Sequence, residues 1–207
     1  MKVRPKKKNK HQLRTEETQA KILDAAEVIF SEQGFENTQL GEVAARAGYT
    51  RGAIYAHYSD KEDLFLALMQ HRVLTQLTAL LRVIEAEVQV SKRPEIFKRW
   101  ISSQANDRNW CTLVLEFKLY TLRRPRSREK LLRMYDMMRS LSGGDFVGKL
   151  FGDKLDRTSR AAVERRLAVI GAILGAVVLE SRLQPKLFSK VQLQLVLEDL
   201  FATLIRA

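Results

Sequence analysis

A chain of 207 residues, 45% apolar and 29% charged, can bury a core and stay in water, which excludes a disordered or collagen-like polymer. The single cysteine, Cys111, excludes an internal disulfide framework and suits a reducing compartment. A formal net charge of +12 favours a polyanionic partner, and the scarcity of breakers (10 Gly, 4 Pro) among many Leu, Val, Ile and Ala predicts an all-α fold.

Residues 1–14 carry seven positive charges (Lys2, Arg4, Lys6, Lys7, Lys8, Lys10, Arg14) and no acid. They read as a basic, disordered arm, either simply solvated or touching nucleic acid. No positive segment followed by an apolar core opens the chain, so no secretory signal is expected. Thr15 then suits an N-cap, with Glu16 and Glu17 in the first turn and Ile22, Ala25, Ala26, Ile29 and Phe30 at helical spacing up to Gly34. Thr38 is placed to cap a short second helix through Leu40, Val43, Ala44 and Ala47, which Gly48 stops. Thr50 caps a third, and Ser59 with Glu62 forms a capping-box pattern ahead of a long fourth, from Lys61 to about Val90. Further helices are expected over 94–106, 109–122, 127–140, 158–183 and 189–205, with Pro125 and Pro185 at breaks and Gly143–Gly144 ending or bending another.

Residues 38–64 are the informative stretch, TQLGEVAARAGYTRGAIYAHYSDKEDL. A short helix, a tight turn at Gly48 and a second short helix make a helix-turn-helix. Ala44 and Ala47 let the two helices cross closely, and Gly48 supplies the positive φ of a sharp turn. On the second helix only Ile54 clearly demands burial, which leaves its N-terminal side chains outside, as a recognition helix requires.

This string resembles the DNA-binding signature of the TetR family. Thr38, Ala44, Ala47, Gly48, Gly52, Tyr55, His57, Lys61 and Leu64 match it; Val43, Thr50, Ile54 and Tyr58 are near matches, and Tyr49 departs from it. Ile22–Phe35 resembles the family's first helix with its closing Gly-Phe. The resemblance, over about residues 15–64, implies an N-terminal three-helix domain joined by a long helix to a helical ligand-binding and dimerisation domain. It divides the chain into arm (1–14), DNA-binding domain (15–62) and effector-binding and dimerisation domain (63–207). It further implies a cytoplasmic, non-enzymatic, homodimeric regulator, a repressor by default, with operator DNA and an unidentified small-molecule effector as partners.

Carried over position by position, it places Thr38 on a phosphate and Thr50, Arg51, Gly52 and Ala53 in the major groove, with Arg51 reading a guanine edge. Tyr55 and His57 would hold phosphates or the groove wall, and Lys61 a phosphate at the next helix start. Tyr49 either meets a base methyl or sugar or packs inward; Tyr58 reads as core. Residues 15–72 hold ten acids against five bases, so the arm would supply much of the electrostatic affinity.

In the C-terminal two-thirds, Trp100, Trp110, Glu116, Phe117, Tyr120, Met134 and Met138 form the expected effector pocket, each of the large apolar ones being equally at home in an ordinary core. Ile170, Gly171, Leu174, Gly175, Val178, Leu195 and Leu200 are the expected dimer interface, the glycines four apart allowing close helix approach. The uncharged run Leu167–Leu179 has 13 residues, too short for a membrane span of ~20. A second basic run over 118–139 reads as a solvated helix face.

Chemistry of other kinds finds no footing. GGDFVGK (143–149) nearly spells a phosphate-binding loop, but Leu150 stands where a magnesium-binding hydroxyl belongs, and no strand precedes it. His11, His57 and His71 are scattered, and Cys111 has no evident base. No catalytic group, metal or cofactor is expected.

Overall fold

The computed structural model describes residues 9–141, 145–152 and 155–204 and, among them, only helices, turns and loops. In chain order the helices are α1 (Lys10–Asn37), α2 (Leu40–Ala47), α3 (Arg51–Tyr55), α4 (Lys61–Ala86), α5 (Arg93–Gln104), α6 (Arg108–Leu122), α7 (Pro125–Leu141), α8 (Phe146–Phe151), α9 (Arg157–Leu183) and α10 (Lys190–Leu204). The chain divides into two compact units, Met1–His71 and Arg72–Ala207, so the boundary falls within α4 and nine residues beyond the expected one. Among the described helices α4 alone is long and apolar enough to cross a membrane. Its Leu64, Phe65, Leu68, Leu80 and Ile84 are buried in protein.

The first unit is built on an aromatic cluster. Phe30, Phe35 and Phe65 are all fully buried; Phe65 meets the other two edge-on, at centroid distances of 4.9 and 5.2 Å. Ile22, Val43, Ala44, Ile54, Leu64 and Leu68 complete the core, so α1, α2, α3 and the start of α4 each contribute. The first helix starts earlier than Thr15 suggests. Asn9 is its N-cap, accepting from the Gln12 amide at 2.8 Å while the Gln12 side chain accepts from the Asn9 amide at 2.9 Å. This reciprocal box satisfies two amides that a helix start leaves open. Thr15, now inside the helix, donates to the His11 carbonyl. Residues 10–14, assigned to the arm, are therefore the opening turns of α1; residues 1–8 lie outside the described residues.

Gly34 breaks α1 with φ 78°, as its position predicts. Thr38 does not cap α2: Gln39 is the N-cap residue, and the Thr38 hydroxyl turns back to donate to the Gly34 carbonyl at 2.7 Å. The cap of α4 is likewise shifted by one residue, with Asp60 accepting from the Asp63 amide at 2.7 Å.

The second unit packs α5, α8, α9, α10 and the second half of α4 around Leu80, Ile84, Phe97, Ile101, Leu150, Ile170 and Phe201. A smaller cluster joins Ala105, Leu174 and Val178, with Cys111 and Val177 against it. The short α8 overlaps the stretch that nearly spells a phosphate-binding loop. Asp145 caps it through the Gly148 amide at 2.8 Å, and a Cβ at Gly148 would collide with the Asp145 carboxylate.

Gly48 ends α2 in the left-handed region (φ 75°), and a Cβ there would meet nothing within 4 Å. Backbone conformation, not space, demands glycine. Gly48→Ala should therefore cost about 1–2 kcal/mol of stability in urea unfolding. Gly48→Asn should cost less, because Asn tolerates this region; equal losses would contradict the conformational account.

Candidate nucleic-acid interface

The turn at Gly48 delivers Thr50, which caps α3 by accepting from the Ala53 amide at 3.3 Å. One residue anchors the helix, Ile54, fully buried, and Tyr58 just beyond it is 8% exposed. Burial pushes the Tyr58 phenol above its ordinary pKa, in keeping with a core position. With that face committed inward, Thr50, Arg51, Gly52 and Tyr55 are exposed together, while Ala53 and His57 are half-buried. Arg51 and Tyr55 stand one helical turn apart. The Arg51 guanidinium donates to the Tyr55 hydroxyl at 3.1 Å and lies 5.6 Å from the ring centroid. This pairing holds the arginine extended along the exposed face; its i, i+4 spacing was visible in the sequence.

Three of the expected contact residues have partners inside the protein. Thr38 is 2% exposed, its hydroxyl facing Gly34, so as it stands it fixes the α1–α2 turn instead of presenting an oxygen outward. Lys61 donates to the carbonyls of Glu36 at 2.6 Å and Thr38 at 3.0 Å, with its ammonium 5.0 Å from the Phe35 ring centroid. Desolvation holds its pKa below the ordinary lysine value. Tyr49 packs inward: its hydroxyl donates to Thr18 on α1 at 3.4 Å.

In the second unit the expected pocket residues are not brought into one place. Phe117 and Met134 are buried, and Tyr120 stacks on Phe117 beneath the Arg124 guanidinium, 3.7 Å away. Trp100 belongs elsewhere, stacked on Phe97 in the cluster around Leu80 and Ile84. Glu116 is exposed, on the flank of α6 beside its buried side. The Met138 side chain lies outside the described residues. Trp110 carries the Arg72 guanidinium over its ring at 4.5 Å, and Arg72 also pairs with Asp107, the residue that caps α6 through the Trp110 amide. Sequence reading missed this cluster; Asp107 has the form of an N-cap, but nothing local ties Arg72 to it. Lys118 is half-buried beside it on α6, burial lowering its pKa and raising that of Cys111.

The expected dimer residues need correction too. Ile170, Leu174 and Val178 are buried in the unit's own core, and a Cβ at Gly175 would come within 3.3 Å of Leu115. Their side of α9 faces α6 and the core. Leu195 is 55% exposed, while Gly171 and the Leu200 side chain lie outside the described residues.

Comparison with known proteins matches residues 22–68 to the family model of the tetR bacterial regulatory proteins. The AcrR transcriptional regulator of Shigella flexneri is 58% identical over 50 residues, 24% of this chain and 23% of that protein. The repressor BepR of Brucella suis is 49% identical over 53 residues, 26% and 25% of the two chains. These matches thus span about a quarter of each relative's length. Likeness in fold extends over nearly the whole chain. The fatty acid degradation regulator FadR of Bacillus halodurans superposes with TM-score 0.60 at 21% identity, covering 97% of both chains. A TetR regulator of Haloarcula marismortui does so with TM-score 0.64 at 11% identity, over 92% of this chain and all of that one. Residues 22–68 thus resemble the helix-turn-helix domain of the tetR bacterial regulatory proteins, and the chain as a whole shares the all-α fold of these solved regulators.

Proposed function

We propose that the chain is a cytoplasmic, ligand-responsive transcriptional repressor that binds a near-palindromic operator as a homodimer. The observation that carries this reading is the exposed face of α3, where Thr50, Arg51, Gly52 and Tyr55 stand outside around a single buried anchor. Gly52 sharpens it. A Cβ there would meet only the Thr50 hydroxyl, at an ordinary 3.7 Å, so the protein's own packing has no need of glycine. The need comes from outside: a bare helix surface lets the backbone lie close against the major groove. The repressor assignment follows BepR, a named repressor, and steric blocking as the simplest outcome of operator occupancy. The relatives' roles are regulatory, and no catalytic step is assigned.

Dimerisation uses the other side of α9. Val169, Ala172, Ala176, Leu179 and Leu183 are exposed at alternating three- and four-residue spacing, the seam of a helix that packs on another helix. Leu187, Val191 and Leu195 continue an exposed apolar surface into α10. A two-fold pairing through these helices would set two recognition helices about 34–36 Å apart, one DNA turn. An effector binding in the second unit would favour a dimer in which that spacing is lost. That a protein of this fold, the Bacillus subtilis FadR, is known in complex with stearoyl-CoA supports a ligand-binding role for the helical unit.

The test is fluorescence anisotropy on the DNA upstream of the protein's own gene, against scrambled competitor and across a salt series. Binding that survives the competitor supports a specific regulator; failure to select any site from random DNA would overturn it. Arg51→Ala should lose about 1–3 kcal/mol of discrimination at one base pair. Gly52→Ala should leave the fold as stable or slightly more so, since Ala favours a helix by about 1 kcal/mol over Gly, yet weaken operator binding. Unchanged affinity in Gly52→Ala would remove the close-approach argument.

A separate prediction concerns assembly. Leu179→Glu with Leu183→Glu should convert the dimer to monomer in sedimentation velocity and weaken operator binding with it. A double variant that stays dimeric would place the interface elsewhere.

A further inference from the structure

Beyond residues 1–14, with their seven bases, the positive charge of this protein lies in the second unit. Residues 15–72 hold five bases against ten acids, whereas residues 73–207 hold 24 bases against 14 acids. Within the second unit the excess is densest at the turn between α6 and α7. Residues 119–133 contain six bases (Arg123, Arg124, Arg126, Arg128, Lys130, Arg133) and one acid, Glu129, which Arg133 takes in an ion pair of 2.6 Å.

This turn is also apolar on its outside. Five consecutive residues, Leu122 to Arg126, are all exposed, which makes the turn a projecting tip. Leu122 and Leu119 on α6 are 65% and 64% exposed, and Leu132 on α7 is 53% exposed. The inward faces of the same helices are ordinary core: Phe117, Thr121, Ser127, Leu131 and Met134 are buried. The leucines are thus displayed on the outer side of a well-anchored pair of helices.

Three kinds of partner can be weighed on these residues. A DNA backbone accounts for the arginines, but three large exposed leucines add nothing to phosphate binding. A second copy of the same tip would bring two sets of arginines together. An anionic lipid surface accounts for both features, because guanidinium groups settle among the phosphates while aliphatic side chains enter the boundary with the acyl chains. We propose that the α6–α7 tip docks on an anionic lipid bilayer, through Arg123, Arg126 and Arg128 at the headgroups and Leu119, Leu122 and Leu132 beneath them. The site shares no residue with the α3 face and does not depend on the protein being a repressor.

The experiment is co-sedimentation of the full-length protein with vesicles of equimolar phosphatidylglycerol and phosphatidylcholine, compared with phosphatidylcholine alone. Binding is expected only to the anionic vesicles. Each basic residue near an anionic surface multiplies affinity about fivefold, so Arg123→Gln, Arg126→Gln and Arg128→Gln together should weaken it about a hundredfold. Leu119→Ser, Leu122→Ser and Leu132→Ser together should weaken it as well, with the arginines intact. Thermal unfolding followed by circular dichroism checks that both variants remain folded; their changes lie on exposed positions. Failure to bind anionic vesicles overturns the proposal. Full binding by the arginine variant also overturns it, placing the contact in the basic N-terminal residues. Loss in the arginine variant without loss in the leucine variant overturns it too, because that marks a site for polyanions such as nucleic acid, which a non-operator duplex in the same assay would then confirm.

Discussion

The DNA-binding unit hangs on how the chain crosses from α1 to α2. Gly34 breaks the first helix with a positive φ, and the irregular backbone that follows leaves carbonyls without helical partners. Two side chains take them: the Thr38 hydroxyl donates to Gly34, and the Lys61 ammonium donates to Glu36 and Thr38. Buried carbonyls without such partners would be costly, and a charged donor makes these bonds strong. Because Lys61 opens α4, the same contacts fasten the start of that helix to the turn. Phe35 lies under the ammonium and against Phe65, so the polar clamp and the aromatic core hold one junction from two sides. The exposed helix α3 inherits its position from this junction, since α2 and α3 grip the core with few residues, Leu40, Val43, Ala44 and Ile54.

What could be read from the sequence follows the reach of the interactions involved. Gly34, Gly48, Thr50 and Ile54 have local duties (a break, a left-handed turn, a cap and a helical face), and each is found doing them. The local pattern reads Thr38 and Lys61 as outward-facing and leaves Tyr49 open between a base contact and inward packing. Their partners lie between 4 and 31 residues away, and for Tyr49 and Lys61 no periodicity reveals them. The displaced start of α1 is a different case. Asn9 and Gln12 have capping-box spacing, but Thr15 followed by two glutamates is the more conspicuous pattern, and charge near a helix start is no substitute for satisfying its amides.

The error on α9 has a simple origin. A helix that is apolar all round shows that it is covered on every side without showing which side meets its own domain. Ile170, Leu174 and Val178 run along the inner side, and the outward seam of Val169, Ala172, Ala176, Leu179 and Leu183 lies on the opposite side, roughly 180° of rotation away. Once contacts with α6 and the core fix the inner side, the outer one follows.

The second unit exposes two apolar surfaces, and their chemistry assigns them to different partners. Along α9 the exposed seam is made of alanine, valine and leucine, small enough for close approach and free of charge along its line, so a symmetry mate can lie against it without bringing like charges together. At the α6–α7 turn Leu122 and Leu132 are each followed by an arginine, and Leu119 is four residues from Arg123. Two copies meeting there would pay electrostatic repulsion for the area they bury. Self-association and attraction to a polyanionic surface therefore need not compete for the same residues. The N-terminal unit holds ten acids against five bases over 15–72: it offers a DNA backbone neutral donors, the exposed Arg46 and Arg51 and the bases of residues 1–14, so its affinity depends on fit at the α3 face more than on the net charge of 15–72.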